Sequence, residues 1–419
     1  KVALIGAGKF GSMFLSQVPS TKGIEVLVIA DLKPDNAIKA CKNVGWSDDL
    51  INKTKFVDTG ADAIKLNEVE VVIEATGFPA AGIEHARQAF QNGKHIIMVN
   101  VEADVLAGAA LAKEANSVGV VYSMAYGDQP ALTAEIVEWA RASGFNVTSA
   151  GKGTRYQPIY HKSSPDTVWD YYGLTHEEAR KAGMNPKMFN SFLDGTKSGL
   201  EMAAIANACD LEVPTNGLLF PPCGMDDLAN ILKPLEFGGL LEKNGQVEVV
   251  SSLERDGRPV FKDLRWGVYA VLEAPNDYAA SCFKQYGMNT DDTGKYSAMY
   301  KPFHLIGMEL NISVFSAALL NQATGQTKKF TGDVVSTTKK NLKKGEILDG
   351  EGGATVWGKL VPSKLSLSME ALPIGLAHGI KLKNEIEENK IITWNDVDFS
   401  SNDPAISYRR KMEKDFKKS

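Results

Sequence analysis

The sequence predicts an α/β protein that opens with a doubly wound parallel sheet and continues into an α+β domain and a small β-rich module. Three observations support this fold class. Short apolar strands alternate with amphipathic helices as far as about Ala150, the alternation stops from Gly151 to about Gln326, and short strands separated by turns follow from Lys328. Continuous apolar strands of this length suit a parallel sheet that helices cover on both faces. We therefore expect domains over residues 1–150, 151–327 and 328–419.

Composition and charge exclude several classes of function. The 419 residues, 44% hydrophobic and 23% charged, are ordinary for a soluble globular protein of two or three domains. The net charge of -5 leaves no basic footprint for nucleic acid, and no apolar run reaches the roughly 18 residues of a membrane span. No signal-peptide pattern is visible, so we expect a cytoplasmic protein. Lys1 leads directly into a strand, so we expect native residues to precede it.

The cysteines lack the spacing of metal ligands, so we expect them to be reduced thiols. They are Cys41, Cys209, Cys223 and Cys282.

The first strand and the turn after it carry the strongest motif. The apolar run from Val2 to Ile5 leads into Gly6-x-Gly8-x-x-Gly11, and an amphipathic helix follows. In such a turn the first glycine permits the tight bend, the second lets a pyrophosphate approach the backbone, and the third lets helix and strand pack closely. The free N–H groups at the start of the helix would face the phosphates. This pattern predicts a Rossmann domain that binds a dinucleotide.

The second strand supports that prediction. It runs from Ile24 to Ala30 and ends in Asp31, about 20 residues after the last glycine, where an acidic residue usually meets the adenosine ribose. Alone, Asp31 favours an unphosphorylated ribose because it repels a 2′-phosphate, whereas Lys33 can offset that charge.

The remaining strand ends should line the same cleft, because ligands of such sheets bind outside the carboxyl ends of the strands. The predicted cofactor-binding residues are Gly6, Gly8, Lys9, Phe10, Gly11, Asp31, Lys33, Thr76, Gly77 and Asn100. Asn100 is either a structural turn residue or a contact to the nicotinamide ribose. Asp128 either caps the helix that begins near Pro130 or contacts substrate, as we expect for Gln129.

Two stretches of the second domain supply candidate substrate ligands and catalytic groups. Gly151–Tyr156 is glycine-rich and basic, so it predicts either a flexible anion cradle through Lys152 and Arg155 or a mere hinge. In a predicted helix from Phe192 to Asn207, a period of about 100° per residue places Asp194, Lys197 and Glu201 on one stripe. The polar neighbours of this stripe, expected to contact substrate, are Thr196, Ser198 and Asn207. Carboxylates, an amine and hydroxyls on one face suit acid–base chemistry on a polyol or carbonyl, whereas the alternative is an exposed ion pair.

Further elements complete the prediction. We expect strands at Val247–Ser252 and Gly267–Glu273 and a long helix from Tyr300 to about Thr324. The lysine run 339–344 is expected to be a solvated face, and the charged tail from Asp403 to Ser419 is expected to fray.

Parts of the chain resemble known families. Gly6–Gly11, Val71–Gly77 and Gly93–Asn100 resemble the corresponding stretches of homoserine dehydrogenase, and Lys340–Leu348 with Leu372–Trp394 resembles the SAF domain. Together they make the chain similar to the reductoisomerase-like proteins, which join a homoserine-dehydrogenase-type core to a SAF module. Gly127-Asp128-Gln129-Pro130 and Leu193–Glu201 are further stretches associated with that group.

That resemblance implies a specific reaction. Its characterised members convert 1-deoxy-D-xylulose 5-phosphate to 2-C-methyl-D-erythritol 4-phosphate with NADPH, so the resemblance implies NADPH and a phosphorylated sugar. It also suggests Mg²⁺ or Mn²⁺ held by Asp194 and Glu201, with Lys197 catalytic and Lys152 and Arg155 on the phosphate. The alternatives are an NAD(P) oxidoreductase acting on a sugar acid or hydroxy acid, and a dinucleotide-binding sensor. A homo-oligomer is expected as the commoner assembly.

Overall fold

The computed structural model describes residues 1–417, in which strands and helices alternate in the first third of the chain. The strands are β1 (Val2–Ile5), β2 (Val26–Ala30), β3 (Lys55–Val57), β4 (Val71–Glu74), β5 (His95–Met98), β6 (Tyr122–Met124), β7 (Asn146–Thr154), β8 (Gln246–Ser251), β9 (Val268–Glu273), β10 (Tyr296–Lys301), β11 (Gly332–Thr338), β12 (Ile347–Asp349), β13 (Val356–Pro362), β14 (His378–Leu382) and β15 (Val397–Asp398).

The helices vary from one turn to five. They are α1 (Lys9–Gln17), α2 (Pro34–Asn43), α3 (Asp48–Lys53), α4 (Gly60–Ile64), α5 (Pro79–Gln91), α6 (Val101–Val118), α7 (Gln129–Ala142), α8 (Val168–Tyr172), α9 (His176–Lys181), α10 (Pro186–Leu193), α11 (Thr196–Cys209), α12 (Leu228–Ile231), α13 (Asp277–Gln285), α14 (Asn311–Leu320), α15 (Ser363–Met369) and α16 (Pro404–Lys417). None of these helices, over the residues described, is long and apolar enough to cross a membrane.

The chain divides into two units. The first unit contains Lys1–Glu135, His304–Lys328 and Tyr408–Met412, and the second contains Ile136–Phe303, Lys329–Ser407 and the residues from Glu413 onward. The boundaries expected at residues 150 and 327 stay predictions about domains.

The first unit holds the predicted parallel sheet. Its strand order is β3-β2-β1-β4-β5-β6, with every neighbouring pair parallel. The central strands are fully buried, because their continuous apolar sequences pack against helices; Leu4, Ile29, Ile73 and Ile97 lie in one core cluster with Phe14 of α1. The Rossmann prediction is confirmed.

The second unit contains a four-stranded mixed sheet of order β10-β9-β7-β8. β7 is parallel to β8 and antiparallel to β9, which in turn is antiparallel to β10. The helix α11 contacts β7 and β8 as well as β11 and β13. Beyond it, β11 pairs with β13, and β12, β14 and β15 form a small sheet, all of them antiparallel. The predicted change to a β-rich C-terminal part is confirmed.

Residues 151–154 of the glycine-rich stretch belong to β7 and do not form the flexible segment expected from the sequence. Gly151 and Gly153 lie in β7, the inner strand between β8 and β9. A Cβ at Gly151 would overlap the carbonyl oxygen of Glu248, and one at Gly153 would overlap that of Leu264. These glycines therefore serve close strand packing and not mobility.

Two further expectations were wrong. The helix expected from Tyr300 to Thr324 is limited to α14, because residues through Lys301 pair in β10 and Gly307 adopts a left-handed φ of 77°. The tail expected to fray forms α16 through residue 417, and its Arg409 is fully buried and donates to the carbonyl of Leu106 at 2.9 Å. Residues 418–419 of that tail lie outside the described part.

Candidate active site

The glycine turn of the first unit has the geometry of a dinucleotide cradle. Gly6 has a φ of 96°, and a Cβ there would lie 2.7 Å from the carbonyl oxygen of Ala75. A Cβ at Gly11 would overlap the carbonyl oxygen of Gly6, so this glycine is required for the helix to pack on the strand. Apart from its chain neighbours, no described residue lies within 4 Å of a Cβ built on Gly8, which precedes α1 without a side-chain capping hydrogen bond. The open space and the uncapped helix N-terminus fit a pyrophosphate. Lys9, exposed, and Phe10, half-buried against the core, begin α1.

The acidic residue at the end of β2 is tied to that turn. The Asp31 carboxylate accepts hydrogen bonds from the backbone N–H of Ala7, at 3.1 Å, and from that of Lys33, at 3.0 Å. The side chain of Lys33 is exposed. Asp31 is therefore held in a fixed pose at the strand end where the ribose was expected.

At the end of β4 a buried carboxylate supports the predicted cofactor loop. Thr76 donates to Glu74 Oε1 at 2.5 Å, and His85 Nδ1 lies 3.2 Å from the same oxygen. The other oxygen, Oε2, is buried and has no hydrogen-bond partner among residues 1–417. Thr76 and Gly77 are exposed beyond the strand. Sequence reasoning missed Glu74, although an acid closing an apolar strand was a visible signal.

Asn100, Asp128 and Gln129 are all buried. Asn100 caps α6, since its side chain accepts from the N–H of Ala103 at 3.0 Å and donates to the carbonyl of Phe78 at 2.9 Å. The structural alternative for Asn100 is thus present. Asp128 Oδ1 accepts from the backbone N–H of Gln129 at 2.8 Å, at the start of α7, which also agrees with the local structural alternative.

In the second unit, the central feature is an ion pair between Lys152 of β7 and Glu201 of α11. Both side chains are almost completely buried, with exposed fractions of 8% and 6%. Burying two charges is costly unless they compensate each other, so each of these side chains depends on the other. Lys152 is therefore not an exposed cation of a phosphate cradle, which corrects the sequence-based expectation. Arg155 is half-buried and its Nε donates to the Tyr160 hydroxyl at 3.4 Å.

Contrary to the prediction, Asp194 does not share a helical stripe with Lys197 and Glu201. It ends α10, and Gly195, with a φ of 90°, separates it from α11. Its carboxylate accepts from the N–H of Thr196 at 2.9 Å and pairs with Lys339 Nζ at 2.7 Å.

The position of Lys339 also contradicts the prediction that the lysine run 339–344 forms a solvated face. It is buried, and its ammonium donates to the carbonyls of Ser163, at 2.6 Å, and Gly353, at 2.7 Å, besides the Asp194 carboxylate. With all three donors used, Lys339 and Asp194 form a structural pair that joins the end of α10 to the C-terminal strands.

The other predicted residues of α11 have different surroundings. The Thr196 hydroxyl accepts from the N–H of Gly358 at 2.8 Å, and the Asn207 amide bonds the backbone of Thr331 and Gly332, so both hold the helix to β13 and β11. Ser198 is buried. Lys197, half-buried, lies one turn before Glu201 and thus near the same face of the helix. Of the predicted stripe, Lys197 and Glu201 are brought together.

The carboxylates proposed as metal ligands do not fit that role. Asp194 is paired with Lys339 and Glu201 with Lys152, so each carboxylate is already compensated by a buried ammonium. Among residues 1–417 no three His, Cys, Asp or Glu side chains are grouped so that they could hold a metal ion. We derive no step through a divalent ion.

A second buried carboxylate, Glu248 of β8, was also missed. Its Oε1 accepts from the backbone N–H groups of Val249, at 2.8 Å, Leu219, at 3.1 Å, and Phe220, at 3.3 Å. Burial raises the pKa of Glu248 to about 7, against the effect of these hydrogen bonds. The sequence did contain a signal for this residue, because Glu248 is an acidic residue within an apolar strand.

The dinucleotide cradle of the first unit is the feature expected of an NAD(P)-dependent oxidoreductase. Two domain-family models agree with this assignment. Residues 6–125 match the homoserine dehydrogenase NAD-binding domain, and residues 127–310 match the catalytic domain of oxidoreductase DRL. The two matched regions follow each other directly along the chain.

Comparison with solved structures found distant similarities. Homoserine dehydrogenase from Thiobacillus denitrificans aligns at 14% identity over 80% of this chain and 82% of its own, with a TM-score of 0.45. The myo-inositol dehydrogenase from Lactobacillus casei, in complex with NAD(H) and myo-inositol, aligns at 13% identity over 65% of this chain and 70% of its own, with a TM-score of 0.37. A 3-ketoreductase from Actinomadura kijaniata aligns at 14% identity over 38% of this chain, with a TM-score of 0.27, and the match spans about half, 49%, of that chain. No curated protein sequence matches significantly.

Proposed function

We propose that this oxidoreductase interconverts a hydroxyl and a carbonyl group on a polyhydroxylated organic acid, with Lys152 and Glu201 as its acid–base pair. The observation that carries the proposal is the buried ion pair between these two residues inside the DRL-type catalytic domain. In the oxidation, the substrate C–H bond breaks with transfer of a hydride to the nicotinamide, which is the chemistry that the cofactor supplies when bound. The hydroxyl proton leaves to a protein base as the carbonyl forms.

Lys152 suits the proton transfer because it sits next to a proton-accepting partner. In the reduction, its ammonium donates a proton to the developing alkoxide and becomes a neutral amine, which takes up a proton from solvent after the product leaves. The Glu201 carboxylate stabilises the ammonium before the transfer. Lys197, one turn earlier on α11, is proposed as a second catalytic cation near the same helix face. Asp194 has no part in this proposal, because its carboxylate is committed to Lys339.

The second candidate is the conversion of 1-deoxy-D-xylulose 5-phosphate to 2-C-methyl-D-erythritol 4-phosphate. The sequence resemblance favours it, and its isomerisation step would also need an acid–base pair. It further needs cations for the phosphate. Arg155 is half-buried and bonded to Tyr160, and Lys152 is neutralised by Glu201, so the phosphate site expected from the sequence loses one of its two cations. For this reason we place the non-phosphorylated acid first.

NADPH is the proposed cofactor, with NADH as the alternative. Two backbone N–H groups donate hydrogen bonds to the Asp31 carboxylate and partly offset its negative charge. The exposed ammonium of Lys33, two residues later, can offset more of the repulsion of a 2′-phosphate. Gly6, Gly8 and Gly11 would hold the pyrophosphate, and Thr76, Gly77 and Asn100 lie at the strand ends expected to face the nicotinamide ribose.

A SAF-like role for the C-terminal strands, a homo-oligomeric state and a cytoplasmic location remain further proposals. Four free cysteine thiols support the last of them.

A substrate panel with matched variants tests the function. The full chain is assayed by nicotinamide absorbance with NADPH and 1-deoxy-D-xylulose 5-phosphate, and with NADP⁺ or NAD⁺ and a set of aldonic and hydroxy acids. We expect turnover of an acid, a loss of kcat by about 10²–10⁴ in Lys152→Met and in Lys197→Ala, and unchanged cofactor binding. Lys329→Met removes an exposed lysine that pairs with Asp210 and should stay fully active.

Each outcome decides between the candidates. Turnover of the sugar phosphate, with a KM that rises in Arg155→Ala, would replace the acid by the phosphorylated substrate. Full activity of Lys152→Met on whichever substrate is turned over would remove the ion pair from the reaction.

A further inference from the structure

A cavity of about 220 Å³ lies within the second unit and is not part of the proposed reaction centre. Its lining includes His161, Gly195, Gly199, Phe220, Trp357 and Lys359. Gly199 and Glu201 differ by two positions on α11, which is about 200° around the helix at 100° per residue. Gly199 faces Gly358 of β13, whereas Glu201 faces Lys152 of β7. The cavity and the ion pair thus lie on opposite sides of one helix.

Aromatic rings form one wall of the cavity. His161 stacks on Trp357 with centroids 4.1 Å apart, and Phe220 stacks on Tyr156 at 4.0 Å. The His161 Nδ1 is 2.7 Å from the carbonyl oxygen of Asp194 and must donate to it, so Nε2 accepts from the Tyr156 hydroxyl at 3.0 Å. Burial lowers the pKa of His161, in agreement with this neutral tautomer. His161 is thus a flat, uncharged ring in this wall.

The wall is held in an uncommon backbone conformation. Phe220 has a φ of 51°, which is rare for a bulky residue and persists only where the surroundings enforce it. Its N–H donates to the buried carboxylate of Glu248, and its carbonyl accepts from Arg255 at 3.0 Å. These hydrogen bonds fix the backbone of Phe220 and with it the position of its ring in the wall.

Lys359 gives the cavity its charge. Among the lining residues of the described part of the chain, it is the one ionisable side chain besides the neutral His161, and none is aspartate or glutamate. Its side chain is half-buried, and within residues 1–417 it makes no ion pair or hydrogen bond. A half-buried ammonium without a counter-ion attracts an anion, since pairing recovers part of its lost solvation.

We propose that this cavity binds a small organic anion, a carboxylate or a phosphate ester, whose planar or apolar part lies against Trp357 and whose charge pairs with Lys359. The aromatic wall recognises the flat part and the ammonium recognises the charge. This ligand site is separate from the substrate site of the proposed reaction.

Calorimetric titration of the full chain tests the proposal with defined probes. Benzoate and phenyl phosphate carry a ring and a charge, benzamide is a neutral analogue of benzoate, and acetate lacks the ring. We expect at least one of the two ring-bearing anions to bind about tenfold or more tightly than benzamide and acetate, with quenching of the Trp357 fluorescence. Which of the two binds better distinguishes a carboxylate from a phosphate ligand.

Matched variants locate the binding. Lys359→Met should weaken it by about tenfold or more, Lys359→Arg should retain it, and Lys364→Met, an exposed lysine of α15, should leave it unchanged. Lys152→Met should also retain it, which separates this site from the proposed function.

Three results would overturn the proposal: benzamide binding as well as benzoate, Lys359→Met binding like the wild type, or loss of binding in a Lys152→Met protein whose circular dichroism spectrum shows that it is folded. The benzamide comparison uses the unmodified protein, so it stands even if a variant fails to fold.

Discussion

The carboxylate of Asp31 accepts a hydrogen bond from the backbone N–H of Ala7, with 3.1 Å between Oδ2 and N. This bond ties the end of β2 to the glycine turn after β1, so the residue expected to read the ribose also shapes the loop expected to hold the phosphates. Discrimination between cofactors should therefore depend on Asp31 and on its neighbour Lys33.

Lys33→Met should weaken NADPH binding by about tenfold and leave NADH binding nearly unchanged, because only the 2′-phosphate needs the exposed ammonium. Fluorescence titration of both cofactors measures the ratio. Asp31→Asn is the complementary change and should improve NADPH relative to NADH. An equal effect of Lys33→Met on both cofactors would show that this lysine does not face the ribose.

The glycines of the turn should separate binding from folding. Gly8→Ala adds a methyl group into open space, so we expect unchanged thermal stability and cofactor affinity reduced by about tenfold or more. Gly11→Ala forces a Cβ onto the Gly6 carbonyl and should lower the free energy of unfolding by about 1–3 kcal/mol. Urea unfolding and NADPH titration of the two variants provide the comparison. Normal cofactor affinity in Gly8→Ala would argue against the cradle.

Removing one partner of the Lys152–Glu201 pair should cost stability as well as activity. Lys152→Met leaves a buried carboxylate without compensation, so the free energy of unfolding should fall by about 3–5 kcal/mol. The double variant Lys152→Met/Glu201→Leu removes both charges and should regain most of that stability without regaining turnover. If the double variant were active, the pair would be structural.

Glu248 predicts a specific pH dependence of stability. Its pKa is raised from an ordinary 4.5 to about 7, so between these pH values the folded state holds a proton that the unfolded state has lost. Stability therefore falls as pH rises through this window, by about 3 kcal/mol in all for this group. Glu248→Gln keeps an Oε1 acceptor for the three backbone donors, and should remove this part of the slope in urea unfolding from pH 4.5 to 8.

Two comparisons make the Glu248 experiment specific. Asp104 in the first unit also has a raised pKa, to about 6, so the wild type and the variant share that contribution and their difference isolates Glu248. Glu236→Gln, at an exposed carboxylate, should follow the wild type at every pH. Identical slopes for wild type and Glu248→Gln would mean that Glu248 ionises normally.

Local sequence sufficed for the features that depend on neighbouring residues. The roles of Gly6, Gly8 and Gly11 follow from a turn of six residues, and the parallel sheet follows from apolar runs, so both were predictable. Asp194 and Lys339 are 145 positions apart in sequence, and neither helix period nor charge pattern reports that they meet. The same holds for Lys152 and Glu201. Side chains that pair between β7 and α11, or between the end of α10 and the residue after β11, required the tertiary structure.

The glycines of β7 also limit how this enzyme could be altered. No side chain fits at Gly151 or Gly153, because the carbonyls of Glu248 and Leu264 occupy that space. Lys152 therefore sits between two positions that tolerate no replacement. A library aimed at a new substrate should therefore leave both glycines of that strand untouched.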